Sequence, residues 1–185
     1  MAVVSTGAED YPAELDTWIT LPNGKRLHIR PLRPSEESTV LDLYARLSRR
    51  SRYQRFHLET RELPEAVLRL LVDVDHHRRL ALVAENDAGE DGVVGLANFG
   101  AIDDESVELG LVVCDEWQRQ QVGTELAYKV IQAAEDRGFY RFVAHILSDN
   151  VAIRRLMKGK GDILSARTSC GVTEIEFIRR KPSSN

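Results

Sequence analysis

The stretch Val107 to Gly138, VELGLVVCDEWQRQQVGTELAYKVIQAAEDRG, constrains this chain more than any other. Glu108 to Val113 is an apolar run holding one carboxylate, the pattern of a buried central strand. Leu126, Ala127, Val130, Ile131 and Ala134 then recur at helical spacing, a stripe that faces a core. Gly138 follows at the C′ position, where a left-handed residue ends a helix at low cost. Between strand and helix, Gln118 to Thr124 must turn tightly. A turn that opens into a helix N-terminus aims backbone N–H groups at one point, and the helix dipole favours an anion there. Phosphate is the expected guest.

The rest of the chain supplies a sheet for that strand. Trp18–Leu21 and Lys25–Arg30 flank Pro22-Asn23-Gly24 and read as a hairpin with a type I′ turn at Asn-Gly. Ser35 is the expected N-cap of a helix carrying Val40, Leu41, Leu43, Tyr44 and Leu47. Pro64–Val72 reads as a second short helix. Leu80–Ala84 and Val93–Phe99 pair across an acidic loop, and Ile163–Ser169 and Val172–Ile178 close the chain as a hairpin with a half-exposed last strand. The order predicts an α/β fold whose mixed, mostly antiparallel sheet carries helices on both faces.

The 185 residues, 43% hydrophobic and 29% charged, suit one domain with a real core. We expect a flexible lead-in over 1–16, the domain over 17–180 and a frayed tail over 181–185. No apolar run approaches a membrane span, and the net charge of −4 argues against nucleic acid as partner. Cys114 and Cys170 are too few for a disulfide framework or a zinc site, and the N-terminus has no basic, cleavable leader, so a cytoplasmic protein with reduced thiols is expected. His76 and His77 lack a third ligand at useful spacing, so no metal is expected. The arginine-rich run Arg46 to Arg55 has two readings: a segment shaping a substrate site, or a solvated helix end with Tyr53 and Phe56 packed inward.

Gln118 and Gly123, opening a helix after a core strand, resemble the Gln/Arg-x-x-Gly-x-Gly/Ala signature of the GNAT superfamily of acyl-CoA-dependent N-acetyltransferases, with Gln121 standing where the first glycine belongs. A second strand, Arg141–Leu147, leads to Ser148-Asp149-Asn150 and a short helix with Arg154. Together with Ser51–Phe56, Val74-Asp75 and the spacing from Glu108 to Gly161, this is similar to the catalytic domain of bacterial Pat-type protein lysine acetyltransferases. The resemblance spans residues 25 to 178. It implies the GNAT fold and transfer of acetyl from acetyl-CoA to an amine, most directly a protein lysine. It also implies site residues. Leu111, Val112 and Val113 would line the pantetheine arm. Arg119, Gln120, Gln121, Val122, Gly123 and Thr124 would hold the pyrophosphate, and Asn150 the coenzyme. Arg154 would meet a coenzyme phosphate, although a charged helix face explains it equally well.

Glu108 is the candidate general base. Its apolar neighbours would favour the neutral acid and so suit it to taking a proton from an ammonium, directly or through water. The Pat-like domains carry a glutamate at the matching position. The alternative is a glutamate pointing at solvent from a half-exposed face, and strand alternation does not decide between them. Backbone N–H groups freed at a bulge in the central strand would serve the oxyanion. Two features depart from the family. Gln121 would incur a cost of ~1 kcal/mol if the turn needs a positive φ angle. No tyrosine follows Tyr140, and Lys158-Gly-Lys-Gly-Asp162 replaces the usual Leu-Gly-Phe. A GNAT-like acyl-CoA-binding or protein-interaction module without turnover, and a homodimer, remain open alternatives; an arginine-based nucleic-acid binder is a poorer third.

Overall fold

A three-residue loop at Pro22-Asn23-Gly24 and a two-residue turn at Cys170-Gly171 each fold one strand directly back on the preceding one. The computed structural model describes residues 11–58, 60–87, 91–150 and 161–179. The strands are β1 (Thr17–Thr20), β2 (Arg26–Pro31), β3 (Arg79–Asn86), β4 (Val93–Ala101), β5 (Ser106–Val113), β6 (Arg141–Leu147), β7 (Gly161–Ser169) and β8 (Val172–Arg179). The helices are α1 (Glu37–Arg46), α2 (Arg49–Phe56), α3 (Glu65–Val72) and α4 (Val122–Glu135). The strands make one sheet in the order β1-β2-β3-β4-β5-β6-β8-β7. Every neighbouring pair is antiparallel except β5–β6, where α4 serves as the crossover that a parallel pair requires. The last strand is therefore interior, and β7 takes the edge.

The faces follow from the register. Asn98 of β4 stands opposite Gly110 of β5, and a Cβ built at Gly110 would run into the guanidinium of Arg55 on α2. Gly95 pairs with Val113, and a Cβ at Gly95 would lie 2.9 Å from Leu126 on α4. So α2 and α4 cover opposite faces, with α1 beside α2 on β4. This is the α/β arrangement that the sequence predicts. The α4 stripe is buried as expected at Leu126, Ala127, Val130, Ile131 and Ala134. Its end is a Schellman closure. Phe139 N–H reaches Ala134 O (3.1 Å), Gly138 N–H reaches Glu135 O (2.9 Å), and Gly138 takes φ +93°.

Three local expectations need correction. The first hairpin does not use a type I′ turn: Pro22-Asn23-Gly24 form a three-residue loop in which only Gly24 has positive φ. Pro22 presets a type I turn, and Gly24 then supplies the left-handed residue of a bulge. The two successive left-handed residues are Cys170 and Gly171, between β7 and β8. Ser35 does not cap α1; Glu36 precedes it, its carboxylate accepting from Arg33 N–H (2.8 Å) and from both Nη atoms of Arg30 (2.8 and 2.7 Å). The charged bidentate pair outcompetes a serine hydroxyl for that corner. Finally, Tyr53 does not pack inward and is 42% exposed, whereas Phe56 packs against the core beside Tyr44 as expected.

Candidate active site

The parallel pair β5–β6 is short. Its register runs from Ser106↔Arg141 to Leu109↔Ala144 and stops. Beyond that point the two strands splay, and the β6-facing edge of β5 above Leu109 has no strand partner among the described residues. A cleft of about 290 Å³ opens there. Gly110, Leu111, Val112 and Val113 line one side and His145, Ile146 and Asn150 the other, with the α4 turn across one end and Ser51, Gln54 and Arg55 of α2 beside them. The opening lies at the carboxyl ends of parallel strands, where open α/β sheets bind ligands.

At the α4 end, the first intrahelical bond runs from Glu125 N–H to Gln121 O (3.0 Å). The amides of Val122, Gly123 and Thr124 thus precede the helical ladder, and they head a helix of 14 residues. A diphosphate suits that end and an apolar arm suits Leu111–Val113, so the walls fit an acyl-CoA. The turn is built from outside the motif. Asp115 accepts from Ser48 N–H (3.0 Å), Ser48 Oγ (2.7 Å) and Ser51 Oγ (3.0 Å), and Gln118 Nε2 donates to Ser51 Oγ (3.1 Å) and Val113 O (3.0 Å). Lys25 also lies over the Trp117 ring at 4.2 Å. Partial burial would raise the Asp115 carboxyl, but the serine N–H and hydroxyl donors outweigh it and hold it below the ordinary range.

That balance gives a signed prediction. A carboxylate held below its unfolded value of 3.8 contributes stability at pH above that value and loses it as pH falls through the folded value. Asp115→Asn is expected to cost about 1 kcal/mol at neutral pH, since solvent competes for this exposed group, and to flatten the acid limb below about pH 3.8. Urea denaturation across pH reads both.

Of the residues that sequence reasoning singled out, Leu111, Val112, Val113, Arg119, Gln121, Gly123, Thr124 and Asn150 meet around the cleft. Val122 offers only its amide, because its side chain is buried in the core. Gln120 turns away, bonding Asn23 (2.7 Å) and Glu116 O (2.5 Å). Arg154 lies outside the described residues, as does the helix expected after Asn150. Gln121 takes φ +71°, so the position that the family fills with glycine does need a left-handed residue. Gly123 does not: a Cβ there meets Val113 and Leu111 at ordinary contact distances of 3.5 and 3.6 Å. Gln121→Gly is expected to stabilise the fold by ~1 kcal/mol, because the left-handed strain belongs to the turn itself. It should tighten acyl-CoA binding by up to about tenfold through closer backbone approach. Weaker binding in a titration would mean that the Gln121 amide group itself contacts the ligand.

Glu108 sits one pair below the last β5–β6 pair, opposite Val143 and Gly100, beside the cleft rather than in its lining. It is not buried. Its side chain is 56% exposed rather than enclosed by the apolar neighbours expected from sequence, and its Oε1 lies 3.3 Å from His145 Nδ1. The reason is the period of two: Glu108 shares its face with Gly110, whereas Val107 on the other face is wholly buried. The expected bulge in β5 is absent as well, because β4 and β5 pair without a register shift from Val107 to Val113. The splay supplies free backbone edge in its place.

Arg55 stands apart within the arginine run that the sequence reading treated as a whole. Arg46 donates to Val93 O, and Arg52 closes the end of α1 through Tyr44 O (3.1 Å) and Ala45 O (2.8 Å). Arg55 instead turns into the cleft, with Nη2 2.8 Å from Asn98 Oδ1 and Nε buried without a partner among the described residues. Burial lowers its pKa to about 10, with Glu108 acting in the opposite sense. Burial, Arg55 and His145 likewise lower His57. Gly110 was the available signal: a glycine inside a central strand marks a close approach by another group.

Residues 26–161 match the acetyltransferase (GNAT) domain family. The chain belongs to that family and is an acyl-CoA-dependent N-acetyltransferase. It is 30% identical over 146 residues to the acetyltransferase PA5475 of Pseudomonas aeruginosa, covering 77% of this chain and 78% of that one. It is 27% identical over 161 residues to the acetyltransferase Pat of Mycolicibacterium smegmatis, covering 85% of this chain but 47% of that one, so it spans about half of that relative. The GNAT domain of S. lividans PAT shares its fold with a TM-score of 0.81 at 21% identity, over 91% of this chain and 99% of that domain. Among the described residues no helix is long and apolar enough to cross a membrane.

Proposed function

We propose that this protein transfers acetyl from acetyl-CoA to lysine amines of proteins, within one domain over residues 17–180, and that Glu108 is the general base. The observation that carries the reading is the position of Glu108 at the foot of the splay. Two residues of β5 separate it from the apolar wall Leu111–Val113, and the α4 helix end suited to an anion closes the far side. The diphosphate lies against the amides of Val122, Gly123 and Thr124 and near Arg119, with Asn150 on the opposite wall. Exposure suits Glu108 to a large acceptor, since a lysine on another protein must reach it from outside. With Glu174 nearby, it makes that approach acidic, which favours an ammonium.

The chemistry needs little more. Glu108 takes a proton from the ammonium, and the freed amine attacks the thioester carbonyl. Backbone N–H groups on the unpartnered edge of β5 receive the developing oxyanion, a contribution of several kcal/mol in a site closed from water. The thiolate leaves without help from a tyrosine, being a stable leaving group. Incubation with acetyl-CoA and a lysine-bearing protein, read by free thiol and by intact mass, tests this directly. The expected result is equimolar thiol release and acetyl gain on lysine. The second reading, a binding module without turnover, is favoured by the strained left-handed Gln121. It predicts acetyl-CoA binding with neither product.

A further inference from the structure

His145 lines the cleft but has no part in the chemistry just described. It stands one residue beyond the last β5–β6 pair and opposite Glu174 of β8 in register. Both ring nitrogens face carboxylates: Nδ1 lies 3.3 Å from Glu108 Oε1, and Nε2 lies 3.1 Å from Glu174 Oε2. The three side chains form a continuous line across β5, β6 and β8. Other charged and titratable groups surround it. On the helix side are Arg55 and His57 of the α2 end, both within electrostatic reach of Glu108. On the sheet side, Arg167 of β7 is opposite Glu174, and Glu176 is ion-paired with Arg141 at 3.2 Å.

A neutral imidazole has one N–H and one lone pair. It can donate to only one of the two carboxylates, and its other nitrogen bonds the second only when that carboxyl carries a proton. Gaining a proton at one nitrogen while losing one at the other is what such an arrangement permits. We propose that His145 and Glu174 conduct the proton from Glu108, beside the cleft, to solvent in each cycle, an inference that rests on Glu108 being the base. The N–H bond of the ammonium breaks as an O–H bond forms on Glu108. That O–H breaks as Nδ1–H forms on His145, the Nε2–H breaks as O–H forms on Glu174, and Glu174 passes the proton to water. Exchange with water at the partly exposed ring restores the starting tautomer. The route matters once an acceptor protein lies over Glu108 and shuts off its own access to solvent. Glu174 lies two strands further on, at 46% side-chain exposure.

The test compares His145→Gln, Glu174→Gln and Glu108→Gln in the full chain, with a lysine-bearing protein as acceptor. For His145→Gln, kcat should fall about tenfold or more, with KM and acetyl-CoA affinity within about twofold of wild type. The lost rate should become dependent on buffer concentration and be restored in part by added imidazole. Glu174→Gln should show the same buffer dependence with a smaller loss, and this keeps the test valid should His145→Gln fail to fold. If His145 merely stitches β5 to β8, its replacement lowers stability but leaves kcat and buffer dependence unchanged, which overturns the relay. Normal kcat in both relay variants beside an inactive Glu108→Gln also overturns the relay, while the base assignment stands. Full activity of Glu108→Gln removes the base assignment and the relay with it.

Discussion

Glu108→Gln is expected to lower turnover by about 10²- to 10⁴-fold, the range for a positioned general base, while leaving acetyl-CoA affinity nearly intact. Glutamine keeps the size and hydrogen-bonding reach of the side chain but takes no proton. Its amide can still meet His145 Nδ1, so the local geometry should persist. Little stability is at stake, because the side chain is 56% exposed and buries no charge. A loss confined to kcat therefore reads as chemistry rather than unfolding. With Glu108 as the base, the acidic limb of the wild-type pH–rate profile is expected to be absent in the variant. Steady-state rates against an accepted lysine substrate, measured across pH, decide it. Full activity in Glu108→Gln would sink the assignment.

Gly123→Glu should abolish acetyl-CoA binding. The position is the second residue of α4, beside the amides proposed to hold the diphosphate. A carboxylate there brings like charge and bulk into the anion site. The fold should survive, because an acid in the first turn of a helix complements its dipole and a Cβ at Gly123 meets only ordinary contacts. This makes the variant more informative than one that breaks the loop. Binding measured beside a thermal melt separates the two effects, and unchanged affinity in a folded Gly123→Glu protein would remove the diphosphate from this helix end.

The central unit was legible in the sequence because its signals are local. The α4 stripe, Gly138 and the tight turn each follow from spacing within a few residues, and the structure places them as that spacing requires. The need for a left-handed residue at Gln121 was also legible, through the glycine that the family keeps there. What was not legible depends on register between distant strands. Whether Glu108 faces a helix or solvent is set by the pairing of β5 with both β4 and β6, and a period of two leaves that choice open. The splay after Leu109 is likewise a property of two strands separated by α4 in the chain. Arg55 was hidden for a related reason. A run of arginines looks solvated in sequence, and only the meeting of α2 with the Gly110 notch sets one of them apart. The Glu108–His145–Glu174 line joins three strands and has no sequence signature at all.

The cleft between β5 and β6 is proposed to seat acetyl-CoA with its diphosphate on the N-terminus of α4. Calorimetric titration of acetyl-CoA into the protein at two temperatures tests it most directly. The expected result is a saturable one-to-one isotherm whose enthalpy becomes more negative on warming, as burial of an apolar arm requires, and which Gly123→Glu eliminates. A flat trace at both temperatures, or an isotherm that Gly123→Glu leaves intact, would contradict it.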